Sequence, residues 1–61
     1  MVMYVLTLLD EASGEYAVAE LELATADLAE ATDVAFVEGQ AMGLLLVRIV
    51  NAATGEAGEL A

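Results

Sequence analysis

The pattern of apolar and polar positions predicts three β-strands. Val2–Leu9 (VMYVLTLL) is a short apolar run, typical of a largely buried strand. Glu15–Leu23 alternates instead, which is typical of a strand with one face towards the core and one partly towards water. Leu44–Val50 (LLLVRIV) is apolar on both faces apart from Arg48 and predicts a central strand. The alternation assigns Ala17, Ala19, Leu21 and Leu23 to the core side of the second strand, and Tyr16, Val18, Glu20 and Glu22 to the other side.

Two polar segments have the composition of tight turns. Asp10–Gly14 follows the first strand, where Asp and Ser side chains can bond their own backbone and Gly14 can adopt positive φ. This predicts a hairpin connection of about five residues. Asn51–Glu56 repeats the same chemistry after the third strand, which indicates a recurring turn type. The final segment, Ala57–Ala61, is either a short edge strand or a frayed tail.

A helix is predicted between the second and third strands. Thr25 stands where an N-cap is expected, with Asp27 in the first turn and good helix formers after it. Gly39 and Gly43 indicate a break, so the predicted helix ends near Glu38. The five residues 34–38 (VAFVE) fit either the end of this helix or a short strand. The helical period places Leu28, Ala31 and Ala35 on one side and Asp27, Glu30 and Asp33 on more solvated sides.

Together these elements predict an α+β fold. One helix packs on an antiparallel sheet of three to four strands in the order β-β-α-β, with a possible short fourth strand, and residues 1–61 form a single domain. One helix covers one face of a sheet, yet the first and third strands are apolar on both faces. The uncovered face is therefore an expected interface, and a homodimer is one way to cover it.

The charge of the chain is extreme for its size. Eleven Asp and Glu residues accompany one Arg and no Lys or His, giving a formal net charge of −10 over 61 residues. The 61% content of hydrophobic residues and the absence of Pro favour a folded chain over a disordered one. Without Cys or His, zinc sites of the usual kind, iron–sulfur clusters and disulfides are excluded, and we predict no cofactor and no metal site. The apolar runs are too short for a membrane span and the start lacks a basic segment, so we expect a cytoplasmic protein without membrane contact.

Catalysis and specific calcium binding are disfavoured by the residues present. Carboxylate catalysis needs a pocket that shifts one pKa, and a chain this short has little room for its walls. Ser13 has no His to activate it. The acidic residues around Gly14 do not follow the twelve-residue spacing of an EF-hand loop. We therefore predict a protein that is not an enzyme.

Arg48 is the single cationic side chain of the sequence. Its position within an apolar strand favours an ion pair with a carboxylate of a neighbouring strand, with its aliphatic stem covering apolar surface. Glu20 and Glu22 are examples of such carboxylates.

The carboxylates are more informative as a set than singly. They are spread over the predicted first turn, one strand face and the helix. Folding should therefore arrange them in rows, in which neighbouring carboxylates lie about 5–7 Å apart. Duplex DNA also presents closely spaced negative charge, and direct nucleic-acid binding by this chain is correspondingly not expected. The candidate partner-binding residues are Asp10, Glu11, Glu15, Glu20, Glu22, Asp27, Glu30, Asp33 and Glu38.

The small size, strong acidity, lack of Cys and predicted α/β content make the chain resemble phage-encoded DNA-mimic inhibitors. The resemblance is to anti-CRISPR proteins that act on type I Cascade complexes, and it is one of composition over the whole chain. It implies a non-enzymatic inhibitor in the host bacterial cytoplasm that occupies the basic DNA- or PAM-binding channel of a Cas subunit. The alternative is a small oligomerising or adaptor protein that uses the apolar sheet face, with the acidic surface serving solubility or salt adaptation.

Overall fold

Four strands and one helix make up the fold in a computed structural model that describes residues 1–60. The elements are β1 (Val2–Asp10), β2 (Glu15–Leu23), α1 (Leu28–Ala41), β3 (Leu45–Asn51) and β4 (Ala57–Glu59). The α+β architecture predicted from the sequence is confirmed: α1 packs on one face of a four-stranded antiparallel sheet. The last segment contains the short edge strand, and Ala61 lies outside the described residues.

The sheet has the strand order β2-β1-β3-β4, with every neighbouring pair antiparallel. All nine residues of β1 pair with β2, from Val2 opposite Leu23 to Asp10 opposite Glu15. The β1–β3 register shifts after Thr7, because Thr7 faces Arg48 whereas Leu8 faces Leu46. This bulge leaves one extra residue, Val47, on β3 and locally increases the twist of the sheet.

The core lies between α1 and the sheet. Alternate residues of β1 point to the helix, which explains why Tyr4, Leu6 and Leu8 are buried. The helix contributes Ala31 and Ala35, whose small side chains let it approach the sheet closely, and β3 contributes Leu46 and Ile49. Partly buried apolar residues complete the cluster; they include Ala19, Leu21, Leu23, Leu28 and Phe36.

Both ends of the predicted helix need correction. The N-cap is Asp27, whose carboxylate accepts a hydrogen bond from the Ala29 amide at 3.0 Å, whereas Thr25 Oγ1, two residues earlier, accepts from the Asp27 amide. The helix continues beyond Glu38 to Ala41, so the ambiguous residues 34–38 are helical. Gly43 adopts φ +75°, and the amides of Gly43 and Leu44 donate to the carbonyls of Gln40 and Gly39, forming a Schellman motif. Gly43 therefore ends the helix, and Gly39 lies inside it.

The recurrence of one turn type is confirmed at the level of hydrogen bonds. In both turns a glycine with positive φ donates its amide to the carbonyl four residues earlier, Gly14 to Asp10 at 2.7 Å and Gly55 to Asn51 at 2.8 Å. In both, the side chain of that earlier residue accepts from an amide two residues on, and a hydroxyl accepts from the residue after the glycine. The side-chain acceptors are Asp10 and Ser13 in the first turn and Asn51 and Thr54 in the second.

Candidate protein-binding surfaces

The face of the sheet opposite α1, called the open face here, is covered by no element among residues 1–60. Alternation along β1 and β3 and the pairing register place half-buried aliphatic side chains at its centre. They are Met3, Val5, Leu9, Leu45 and Val50, and the polar pair Thr7 and Arg48 lies between them. The more exposed flank is supplied by β2, where Tyr16 is 68% and Val18 is 72% exposed. The face is therefore uncovered among residues 1–60, as predicted, and it is apolar apart from Thr7, Arg48 and the glutamates of β2.

The open face is acidic at one corner. Glu20 and Glu22 extend from β2 beside Val5 and Met3, their partners in β1, and both carboxylates are exposed. They form the first acidic row, which we name the sheet row. Alternate residues on one strand stand about 6–7 Å apart, so the two charges are close enough to act together on a cationic partner.

A second acidic row lies on the helix layer. Asp27 caps α1, and Glu30 and Asp33 follow at intervals of three residues, all three exposed. This helix row and the sheet row lie on opposite sides of the molecule, because α1 packs on the face that Glu20 and Glu22 do not occupy. The structure thus displays both predicted rows, yet it does not join them into one strip.

The remaining candidate carboxylates gather at the β1–β2 turn. Asp10, Glu11 and Glu15 surround this turn, with Asp10 half-buried and the other two exposed. The C-terminal part of α1 lies at the same end of the sheet, since a side chain at Gly39 would meet Leu8 and the Leu44 carbonyl. The exposed Glu38 therefore belongs to this end of the molecule as well.

The predicted ion pair between Arg48 and a carboxylate of a neighbouring strand is confirmed, but its partner is neither Glu20 nor Glu22. The Arg48 Nε lies 3.4 Å from Oε1 of Glu59, which is its direct cross-strand neighbour in β4. The physical reason is the strand order: β1 lies between β2 and β3 and separates Arg48 from both glutamates of the sheet row. The Arg48 and Glu59 side chains are 49% and 71% exposed, so the pair contributes at most about 1 kcal/mol. The sheet row consequently remains without its expected counter-charge.

The Tyr4 hydroxyl is a polar site that the sequence interpretation did not identify. The ring is buried under α1, and the hydroxyl donates a 2.8 Å hydrogen bond to the Thr25 carbonyl, 21 positions along the chain. Burial raises the pKa of this phenol, and the nearby carboxylates of Glu56, Asp27 and Glu30 raise it further. A tyrosine within a largely apolar strand was the available signal, since buried tyrosine hydroxyls usually have a partner.

Tyr4 is expected to limit stability at alkaline pH. Its folded-state pKa is raised above the unfolded value of about 10, so its contribution is complete below pH 10 and is lost as pH rises further. Tyr4→Phe should lower stability at neutral pH by removing the bond to Thr25, and it should flatten the alkaline loss. Urea unfolding followed by circular dichroism between pH 7 and 11 checks this, with Tyr16→Phe as the exposed control. An alkaline loss that persists unchanged in Tyr4→Phe would contradict the assignment.

Within residues 1–60 the surface has no pocket and no group of three or more Asp or Glu side chains arranged to hold a metal ion. The helix α1 is also too short to cross a membrane, and the described part of the chain contains no helix long and apolar enough to do so. The candidate surfaces are therefore the open face, the two acidic rows and the acidic turn.

No family model matches the sequence, and neither a curated protein nor a solved structure matches it. What the protein binds must therefore be inferred from the charge, shape and exposed backbone of its own surface.

Proposed function

We propose that the protein is a non-enzymatic inhibitor whose acidic surface occupies the DNA-binding surface of a basic partner. The observation that supports this most is the exposure of its charge: every Asp and Glu except the half-buried Asp10 is exposed. Arg48, the single cationic side chain, pairs with Glu59 at the far edge of the sheet. The rows and the turn therefore present carboxylates that no side chain of the protein neutralises.

A charge of this size acts at a distance. The net charge of −10 on a body measuring 32 × 19 × 16 Å produces a strong negative potential, which attracts a Lys- and Arg-rich surface before contact. A groove that binds DNA is built to meet closely spaced phosphates, at about one charge per 1.7 Å of duplex axis. Because the two rows lie on opposite layers, an enclosing channel can contact both rows, whereas a flat surface can contact one.

The resemblance to anti-CRISPR proteins makes a type I Cascade the first partner to test. Purified Cascade is passed over the immobilised protein in a series of salt concentrations, with excess target DNA as competitor. We expect capture at low salt, release as salt screens the attraction, and displacement by the DNA. Failure to bind at low salt would exclude Cascade as the partner, and DNA-insensitive capture would contradict mimicry of DNA.

Two charge-matched double variants identify the layer that contacts the partner. Glu20→Lys with Glu22→Lys alters the sheet row, and Glu30→Lys with Asp33→Lys alters the helix row. Each pair changes the net charge by +4, from −10 to −6. We expect at least one pair to weaken binding by about tenfold or more, equivalent to about 1.4 kcal/mol. Equal, small losses would indicate that only the total charge matters and would contradict a defined binding surface.

The open face supports a second candidate function, that of a small adaptor. Its aliphatic centre is uncovered in the described residues, and apolar patches of this kind commonly mark interfaces. Binding through this face should persist in high salt and fail in Val50→Asp, while the double variant in the helix row binds normally. The salt series therefore separates the two candidates in a single experiment.

A further inference from the structure

We infer that β2 is a self-association strand, which pairs antiparallel with β2 of a second copy of the chain to form a continuous eight-stranded sheet. The inference rests on the free edge and residue pattern of β2, and it is independent of the proposed inhibitor function. It names a different surface from the open face, since the contact runs along the edge of the sheet.

β2 is a long edge strand with unused backbone groups. It is bonded to β1 on one side, and no strand among residues 1–60 lies on its other side. The Ala52 amide donates to the Met3 carbonyl, so Met3 directs its backbone towards β3 and the alternate residues of β1 direct theirs towards β2. By the register, the outward backbone groups of β2 then belong to Tyr16, Val18, Glu20 and Glu22. The protein thus exposes a nine-residue edge that can bond another strand.

The other edge of the sheet lacks these properties. β4 has three residues, and its end carries Glu59 in the ion pair with Arg48. A very short edge strand offers few backbone groups for strand pairing, whereas β2 offers nine residues without proline or bulge, three of which are glutamates. The two edges therefore differ in their capacity for association.

The residue pattern of β2 is self-complementary in one full-length register. With Ala19 on a two-fold axis all nine residues pair, Val18 stands opposite Glu20, and Tyr16 stands opposite Glu22. No glutamate directly faces another glutamate. If the two-fold axis passes through Glu20 instead, Glu20 faces Glu20 of the second copy. If it passes through Val18, fewer residues of the two β2 strands pair.

Pairing in this register also extends the core. The α1 side of β2 is incompletely covered, since Ala17 is exposed and Ala19 and Leu21 are partly buried. Ala17 and Leu21 stand opposite each other in the two copies, so their side chains cover one another on the helix face. The two-fold axis runs perpendicular to the sheet, which places both helices on one side and makes one continuous open face on the other.

Sedimentation velocity on the wild-type chain, from micromolar to millimolar concentration, tests the association itself. We expect a concentration-dependent dimer that tightens as salt rises, because each copy carries a net charge of −10. A monomer throughout this range in high salt would overturn the proposal.

Opposite charges at Val18 test the register. Val18→Glu places a carboxylate opposite Glu20 of the second copy and should weaken the dimer by about tenfold, whereas Val18→Lys places an ammonium there and should tighten it. Val37→Glu and Val37→Lys make the same charge changes on the exposed outer side of α1 and serve as controls. Weakening by both Val18 substitutions, with no matching effect at Val37, would show Val18 facing itself and overturn the register.

A cysteine on the axis gives an independent readout, because the natural chain has no cysteine. Ala19→Cys should form an intermolecular disulfide under mild oxidation, since cross-strand Cβ atoms in directly opposed pairs lie about 4.5–5.5 Å apart. Val18→Cys is the matched control and should cross-link far more slowly. Faster cross-linking at position 18 than at position 19 would contradict an axis through Ala19.

Discussion

Replacing Ile49 with alanine is expected to lower the free energy of unfolding by about 2–5 kcal/mol, which would leave the chain largely unfolded. Ile49 is fully buried, is paired with Leu6 in β1 and approaches Gly58 in β4. A single core in a domain of this size rarely supplies more than about 3–5 kcal/mol. Urea and thermal unfolding followed by circular dichroism measure the loss.

Val50→Ala is the matched control for this prediction. Val50 is the next residue of β3, but it points to the open face and is only half-buried. We expect it to cost less than about 1.5 kcal/mol, since fewer contacts are removed. Equal losses in the two variants would contradict a core confined to the helix side of the sheet. The comparison therefore also tests whether the open face is free for a partner.

The strands and turns could be predicted because their signals are local. The alternation of β2 indicates which side faces the core, and a glycine near Asx and hydroxyl side chains indicates both turns. Such patterns depend on neighbours one to four positions away, where backbone geometry leaves few options. The fold class followed from the order of these elements.

Long-range features could not be predicted in the same way. The partner of Arg48 depends on strand order, and the sequence does not say which side of β3 receives β1 and which receives β4. The separation of the sheet row from the helix row depends on which face α1 covers. Composition therefore indicated an acidic surface correctly but could not show that its rows lie on opposite layers.

The Tyr4 bond to the Thr25 carbonyl is a further example, since it links residues 21 positions apart. This hydrogen bond holds the segment between the end of β2 and the start of α1, which contains Thr25. Asp27, the N-cap that follows this segment, belongs to the helix row. The orientation of one acidic row is thus coupled to a buried hydrogen bond that no charge pattern indicates.

Replacing Gly39 with leucine is expected to lower the free energy of unfolding by about 1–3 kcal/mol, although leucine favours helices by nearly 1 kcal/mol over glycine. A β-carbon at this position would lie 3.1 Å from Leu8 Cδ2 and 3.3 Å from the Leu44 carbonyl oxygen. The larger side chain must therefore push α1 away from the sheet. Gln40→Leu, at the adjacent exposed position, is the control and should change stability by less than about 0.5 kcal/mol. Thermal unfolding of both variants checks this, and a gain in stability for Gly39→Leu would contradict Gly39 as a point of close approach between α1 and the sheet.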